Sequence, residues 1–231
     1  MSSSARPGGE RVSRTIGVAI EAAPKKSFAT SVDWPGWSRS GRTEALAIEA
    51  LAAYAERYAF VPRLAGEAFD DPEHLQLEVV ERSEGGGMTE FGVPGTVTNH
   101  DRRSVSAAEA DRLARIVEAA WRTFDAVVAA TPGELRKGPR GGGRNTTKIV
   151  GHVIGSDHGY ARELGLRLPE PDPSDAAGVS ALHAAILDVL RRPSDGSPIV
   201  LRWTTRYAAH RIAWHALDHA WEIEDRRERP G

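Results

Sequence analysis

Cysteine is absent from all 231 residues of this chain. That absence excludes disulfides, thiolate metal sites, iron–sulfur clusters and a cysteine nucleophile. A metal must be held by nitrogen and oxygen ligands, and thiol chemistry needs a thiol supplied from outside. Long apolar runs are missing as well, since no stretch reaches the roughly eighteen residues that a membrane-spanning helix requires. The opening Met-Ser-Ser-Ser-Ala-Arg-Pro-Gly-Gly-Glu lacks the apolar segment of a signal peptide and reads as a disordered leader over residues 1–10. A cytoplasmic protein with no membrane partner is expected. Strong charge of either sign is also missing: the formal net charge is -2, which gives no global drive toward nucleic acid or anionic surfaces. No internal repeat is visible. The 40% hydrophobic and 27% charged fractions that remain describe a globular chain long enough for one large domain or two ordinary ones.

What is present divides into two periods. Over residues 11–22, Val and Ile interleave with smaller and polar residues, as in a strand covered on one face. A second strand is expected over 28–32, then a turn at Asp33-Trp-Pro-Gly-Trp37 set by Pro and Gly. Thr43 is placed to cap a helix ending near Tyr58, with Leu46, Ile48, Leu51, Ala52 and Tyr54 at helical spacing. Residues 75–80 alternate like a strand, and residues 88–93 are expected to pair back onto it after Gly85-Gly-Gly87.

From about Ser104 the period becomes 3.6. Ser106 and Glu109 have capping-box spacing, followed by a stripe of Leu113, Ile116, Val117, Ala120, Trp121, Phe124 and Val127. A second helix is expected after Asn145 or Thr146, a third after residues 171–174, and a fourth from about Thr204 to Arg226. The boundary between the two parts is set near residue 100. The predicted class is α+β, with a small sheet-plus-helix domain over residues 11–100 and a four-helix bundle over 101–231.

The strand order and the run Phe28-Ala-Thr-Ser-Val-Asp-Trp-Pro-Gly-Trp37, followed by Ser40-Gly-Arg-Thr-Glu-Ala45, resemble the HicB-like antitoxin fold. The resemblance covers residues 12–60. It implies a small domain able to bind nucleic acid or a toxin-like protein partner. The basic residues there, Lys25, Lys26, Arg39 and Arg42, are few for a nucleic-acid surface.

The chemistry concentrates in histidine. His215 and His219 are four apart in the fourth helix and about 40° apart around its axis, so both rings address one spot. His210 points about 140° away from His215. In the second helix, His158 lies about 120° round from His152, so at most one of that pair joins the focus. Three neutral imidazoles are the ligand count of a catalytic zinc site with positions left open, and they also suit nickel, copper and iron. Asp218, Glu222 and Asp225 are near enough for hydrogen bonds that orient an imidazole. Trp214 and Trp221 flank the pair and can wall it from water.

A further basic segment, Lys137-Gly-Pro-Arg-Gly-Gly-Gly-Arg144, precedes the second helix. Lys137, Arg140 and Arg144 among glycines can hold an anion, such as the carboxylate of a thiol cofactor or a substrate, and can close as a lid. The segment is neither a Walker loop nor a Rossmann fingerprint.

The second half is similar to the DinB-like superfamily (also called DinB/YfiT-like) over residues 104–228. That resemblance implies a four-helix bundle binding a divalent metal through His152 in Lys148-Ile-Val-Gly-His-Val-Ile-Gly155 and through His215 and His219. It also implies thiol-dependent S-transferase or isomerase chemistry with an external thiol such as mycothiol.

The expectation is an enzyme in which zinc or nickel activates water or a thiol against a small-molecule substrate. Glu222 or Asp218 would accept the proton, and Trp214 with the basic loop would line the substrate site. Transferase and hydrolase both follow from that nucleophile. The competing expectation is a non-enzymatic binding module on a metal-stapled scaffold, with homodimers open to either.

Overall fold

In a computed structural model, residues 15–131, 133–137 and 145–227 are described. The first strand, β1 (Thr15–Ala23), turns Ile16, Val18 and Ile20 into the core. It pairs antiparallel with β2 (Lys26–Ser31) and parallel with β4 (Gln76–Glu84). The short β3 (Ser38–Gly41), which the sequence pattern left as helix approach, completes a sheet of order β3-β2-β1-β4. A parallel β1–β4 pair needs a crossover, and α1 (Glu44–Ala53), α2 (Ala55–Tyr58) and α3 (Phe60–Leu64) supply it. Thr43 caps α1 through its hydroxyl, which accepts from the Leu46 amide at 3.3 Å.

The Trp-Pro-Gly-Trp turn is an anchor. Trp37 is fully buried, donates its indole N–H to the Leu51 carbonyl at 3.0 Å and stacks on Tyr58 with ring centroids 5.3 Å apart. Tyr58 in turn donates to the Pro35 carbonyl at 2.8 Å. Gly36 has φ +88°, and a Cβ there would sit 2.8 Å from Leu217 Cδ1. Glycine is required both by conformation and by close approach to the last helix.

Residues 88–93 do not form the expected returning strand. They fall in a short helix, α4 (Gly87–Phe91), closed by Gly92 at φ +105°. The cause is Glu21, a carboxylate buried on β1. It accepts from the Thr89 hydroxyl and from the backbone amides of Gly95 and Thr96, the amides at 3.0–3.1 Å. Meeting that demand wraps the segment over β1 rather than extending it along the sheet edge.

Four long helices follow. They are α5 (Ala107–Ala129), α6 (Thr146–Glu163), α7 (Ala176–Leu190) and α8 (Thr205–Arg226). Their N-caps are Ser106, Asn145, Asp175 and Thr204, each accepting a backbone N–H from the first turn. Only half of the expected Ser106–Glu109 box forms, because the Glu109 carboxylate is taken by Arg206 of α8.

Every residue of α8 from Thr205 to Leu217 is buried, since Phe28 of β2, the Gly36 turn and Tyr54 lie against one side and α5 and α6 against the other. One hydrophobic core therefore runs through both halves, from Ile16, Trp37 and Leu51 to Leu113, Ile149 and Ile212. Across the seam, Phe28 meets Trp214 edge-on at 6.1 Å, Tyr54 meets Trp221 at 5.0 Å, and Arg57 pairs with Glu224 at 2.6 Å. The architecture is α+β, and among the described residues no helix is long and apolar enough to cross a membrane.

Candidate metal centre

Helix α6 is positioned by its first turn. The Thr146 hydroxyl donates to the Thr131 carbonyl at 3.0 Å, pinning the start of α6 to the end of α5. Further along, Asp157 is fully buried and bonded to His183 of α7 at 3.0 Å, and the His183 ring stacks on Trp121 of α5 with centroids 3.8 Å apart. Burial pushes the Asp157 carboxyl above its ordinary range, while the His183 hydrogen bond pulls it back. This cluster, which the sequence pattern did not single out, locks α5, α6 and α7 in register and leaves the opposite face of α6 turned to α8.

That face carries His152. Its Nε2 lies 3.3 Å from Nε2 of His215, and the ring of His219 closes the group, with centroids 4.9 Å from His152 and 4.7 Å from His215. Nitrogens of the three side chains all fall within 4.8 Å of one another. Zinc–nitrogen bonds of about 2.05 Å in tetrahedral geometry place neighbouring nitrogens about 3.3 Å apart, so the His152–His215 pair already has that spacing. His215 is buried, His219 half-buried and His152 exposed, so the focus opens to solvent on one side. The donor set fits a divalent cation with open positions.

Glu222 accepts from Nδ1 of His219 at 2.9 Å and is also bound by Arg226. The His219 hydrogen bond holds the Glu222 carboxyl below its usual range despite half-burial. This is the carboxylate–histidine arrangement that fixes an imidazole's tautomer and leaves Nε2 for a cation. Glu222, expected as a proton acceptor, is thus occupied in orienting His219.

Asp218, the other expected acceptor, turns the opposite way and pairs with Arg39 of β3 at 2.9 Å, because one residue before His219 is 100° round the helix. Asp225 likewise serves Arg57. Trp214 is buried against Phe28 on the sheet side, where it lines the same cavity as His210 and Arg211, with a tilted 6.2 Å contact to His215.

Of the basic segment, Lys137 is exposed, whereas Arg140 and Arg144 lie outside the described residues. Its beginning is tied to α8: the Arg136 amide donates to the Arg226 carbonyl, and Arg226 Nε donates back to the Arg136 carbonyl, both at 2.9 Å. His158 faces the Leu168 carbonyl, and His210 lines a small cavity between the sheet and α8. Burial pushes His210 down to about 3, aided by the nearby His100.

One residue at the site was missed. Arg211 stands four before His215, so Arg211, His215 and His219 form a single row along α8. Extending the His-x-x-x-His spacing backward by one turn would have found it.

No family model, no curated protein and no solved structure matches the chain. The class of the protein therefore rests on its own residues: an α+β chain carrying a three-histidine cluster on two packed helices.

Proposed function

We propose that this protein is a divalent-metal-dependent enzyme of the DinB-like type, with zinc or nickel held by His152, His215 and His219. The observation that carries the reading is the 3.3 Å approach of the His152 and His215 Nε2 atoms, with His219 oriented toward them by Glu222. When bound, the cation supplies Lewis acidity and lowers the pKa of a water or an external thiol such as mycothiol. The chain's own residues do the rest. Glu222 fixes the His219 tautomer, Arg226 holds Glu222, and buried His215 shields the inner side of the site. Exposed His152 leaves an approach for a small-molecule substrate. The absence of cysteine means any thiol nucleophile is external.

The strand–helix–strand order of the N-terminal part agrees with a HicB-like ancestry, but Arg39, one of its few basic residues, is spent inward on Asp218. That favours a catalytic over a nucleic-acid-binding role.

The test is metal analysis of protein purified without a histidine tag and reconstituted with zinc or nickel. The wild type is expected to hold one equivalent, and His215→Ala none. A wild type that retains no stoichiometric metal after reconstitution ends this reading.

A further inference from the structure

Four arginines at or beside α8 have carboxylate partners. Arg39 pairs with Asp218, Arg57 with Glu224 and Asp225, Arg206 with Glu109, and Arg226 with Glu222. Arg211 differs. It is 7% exposed, its Nη1 has no hydrogen-bond partner, and among the described residues no carboxylate oxygen lies within 4.0 Å of its guanidinium. Among the described residues its guanidinium contacts are aromatic, with Cζ 4.8 Å from the Trp214 ring centroid and 5.4 Å from that of Tyr160. Such contacts offset only part of what it costs to take a guanidinium out of water. Glu21 and Asp101, which line a cavity together with Arg211, are hydrogen-bonded elsewhere, Glu21 to Thr89, Gly95 and Thr96, and Asp101 to Thr98. A buried, pre-positioned guanidinium without a counter-ion marks a place for an anion brought from outside.

The surroundings say what kind. Arg211 lies in the wall of an open groove shared by Ser156, Tyr160, Trp203 and Tyr207, with Arg102 and Arg202 exposed on its rim. Glu163 is the acidic residue on that lining, so cations prevail. Three aromatic side chains make a wall for a flat apolar body. The Tyr160 ring, edge-on to His215 at 5.6 Å, also lies 5.4 Å from the guanidinium, so it joins the anion position to the histidine focus. One helical turn, about 6 Å along the axis, separates Arg211 from His215.

We infer that Arg211 is the specificity residue for a carboxylic acid with a flat, aromatic or conjugated body. The carboxylate is held bidentately by the guanidinium, and the far end reaches toward His152, His215 and His219. The placement of the reacting end rests on the metal-enzyme reading above; the carboxylate site does not.

The experiment is calorimetric titration of the full chain with trans-cinnamate and with its neutral isostere cinnamamide, using both zinc-loaded and metal-stripped protein. Cinnamate binds both forms within about threefold of each other, and cinnamamide binds on the order of tenfold or more weakly. Arg211→Met loses cinnamate affinity by roughly 10- to 100-fold, and Arg211→Lys recovers part of it. The melting temperature of ligand-free Arg211→Met is equal to or above that of wild type, because an unpaired buried charge has been replaced by an apolar chain.

Unchanged cinnamate affinity in Arg211→Met overturns the inference, as does absence of cinnamate binding to the wild type. An Arg211→Met protein that melts lower or fails to fold also overturns it, since the guanidinium would then be serving the fold. Binding that vanishes on stripping yet survives in Arg211→Met assigns the carboxylate to the metal and overturns it too. Should the wild type take up no zinc while Arg211-dependent cinnamate binding persists, only the metal-enzyme reading fails.

Discussion

The two sides of α8 carry the same residue types and use them differently. Toward the sheet stand His210, Trp214, Asp218 and Trp221. His210 is held neutral by burial, Trp214 packs on Phe28, Asp218 pairs with Arg39, and Trp221 packs on Tyr54. Toward α6 stand Arg211, His215, His219 and Glu222. There histidine meets histidine around a point open to solvent, and a guanidinium that no carboxylate pairs with among the described residues faces a groove. Burial alone does not mark a functional polar residue, since both sides are buried. What separates them is whether the protein supplies the complement.

The strongest way to break that contrast is to exchange the histidines' roles. His215→Ala should abolish metal-linked stabilisation, whereas His183→Ala, which empties the closed His183–Asp157 pair, should leave it intact. For the wild type with metal at about a thousandfold excess over Kd, the gain is on the order of 4 kcal/mol. Thermal melts with and without zinc, run on all three proteins, read it directly. An equal metal-induced shift in His215→Ala would remove the distinction between the two sides.

On the sheet side, His210 should register in the pH dependence of stability. Its folded pKa is pushed down to about 3 by burial, against about 6.5 for an unperturbed histidine. Between these values the unfolded chain holds a proton that the folded chain refuses, so stability falls on acidification. The slope is up to about 1.4 kcal/mol per pH unit. Asp101 and Asp157, whose carboxyls burial pushes up, act in the opposite sense. The difference between wild type and His210→Gln, from denaturant titrations at pH 7 to 4, isolates the histidine. A difference that stays flat through that window would show that His210 is not held neutral.

How much of this was legible follows from what each feature depends on. The four long helices and the cap at Ser106 depend on neighbours within one turn, and the sequence displayed those, while it left Asn145 and Thr146 as alternative caps. The His215–His219 pair was legible because helical spacing fixes it and admits at most one more histidine from α6; that His152 rather than His158 joins it was implied by the family resemblance, not by the spacing. Other features depend on partners far along the chain. The parallel β1–β4 pair, the helix at Gly87–Phe91 drawn over Glu21, and the Asp218–Arg39 pair each join residues more than sixty positions apart. No local period announces them. Arg211 differs: its place in the row was available from the spacing, but that no carboxylate pairs with it among the described residues is displayed only by the packed neighbourhood.

Glu222 sharpens the contrast from the α6 side. It accepts from His219 Nδ1, so Glu222→Gln weakens the orientation of one ligand without removing it. Competition with a zinc chelator should show a loss of metal affinity of about 10- to 100-fold. A loss as complete as that of His215→Ala would mean Glu222 is itself a ligand.

Asp218→Asn completes the comparison with the smallest effect. Asp218 adjoins His219 in sequence and was an equal candidate for its chemistry, yet its carboxylate lies on the other side of the helix against Arg39. Its side chain is 40% exposed, so the ion pair is solvent-screened and worth at most about 1 kcal/mol. The variant should lose no more than that in denaturant unfolding and keep wild-type zinc affinity within about twofold, a change near the limit of measurement. If instead zinc affinity falls as it does in Glu222→Gln, then Asp218 reaches the histidines in solution, and the division of α8 into a self-satisfied side and an open side does not hold at its C-terminal end.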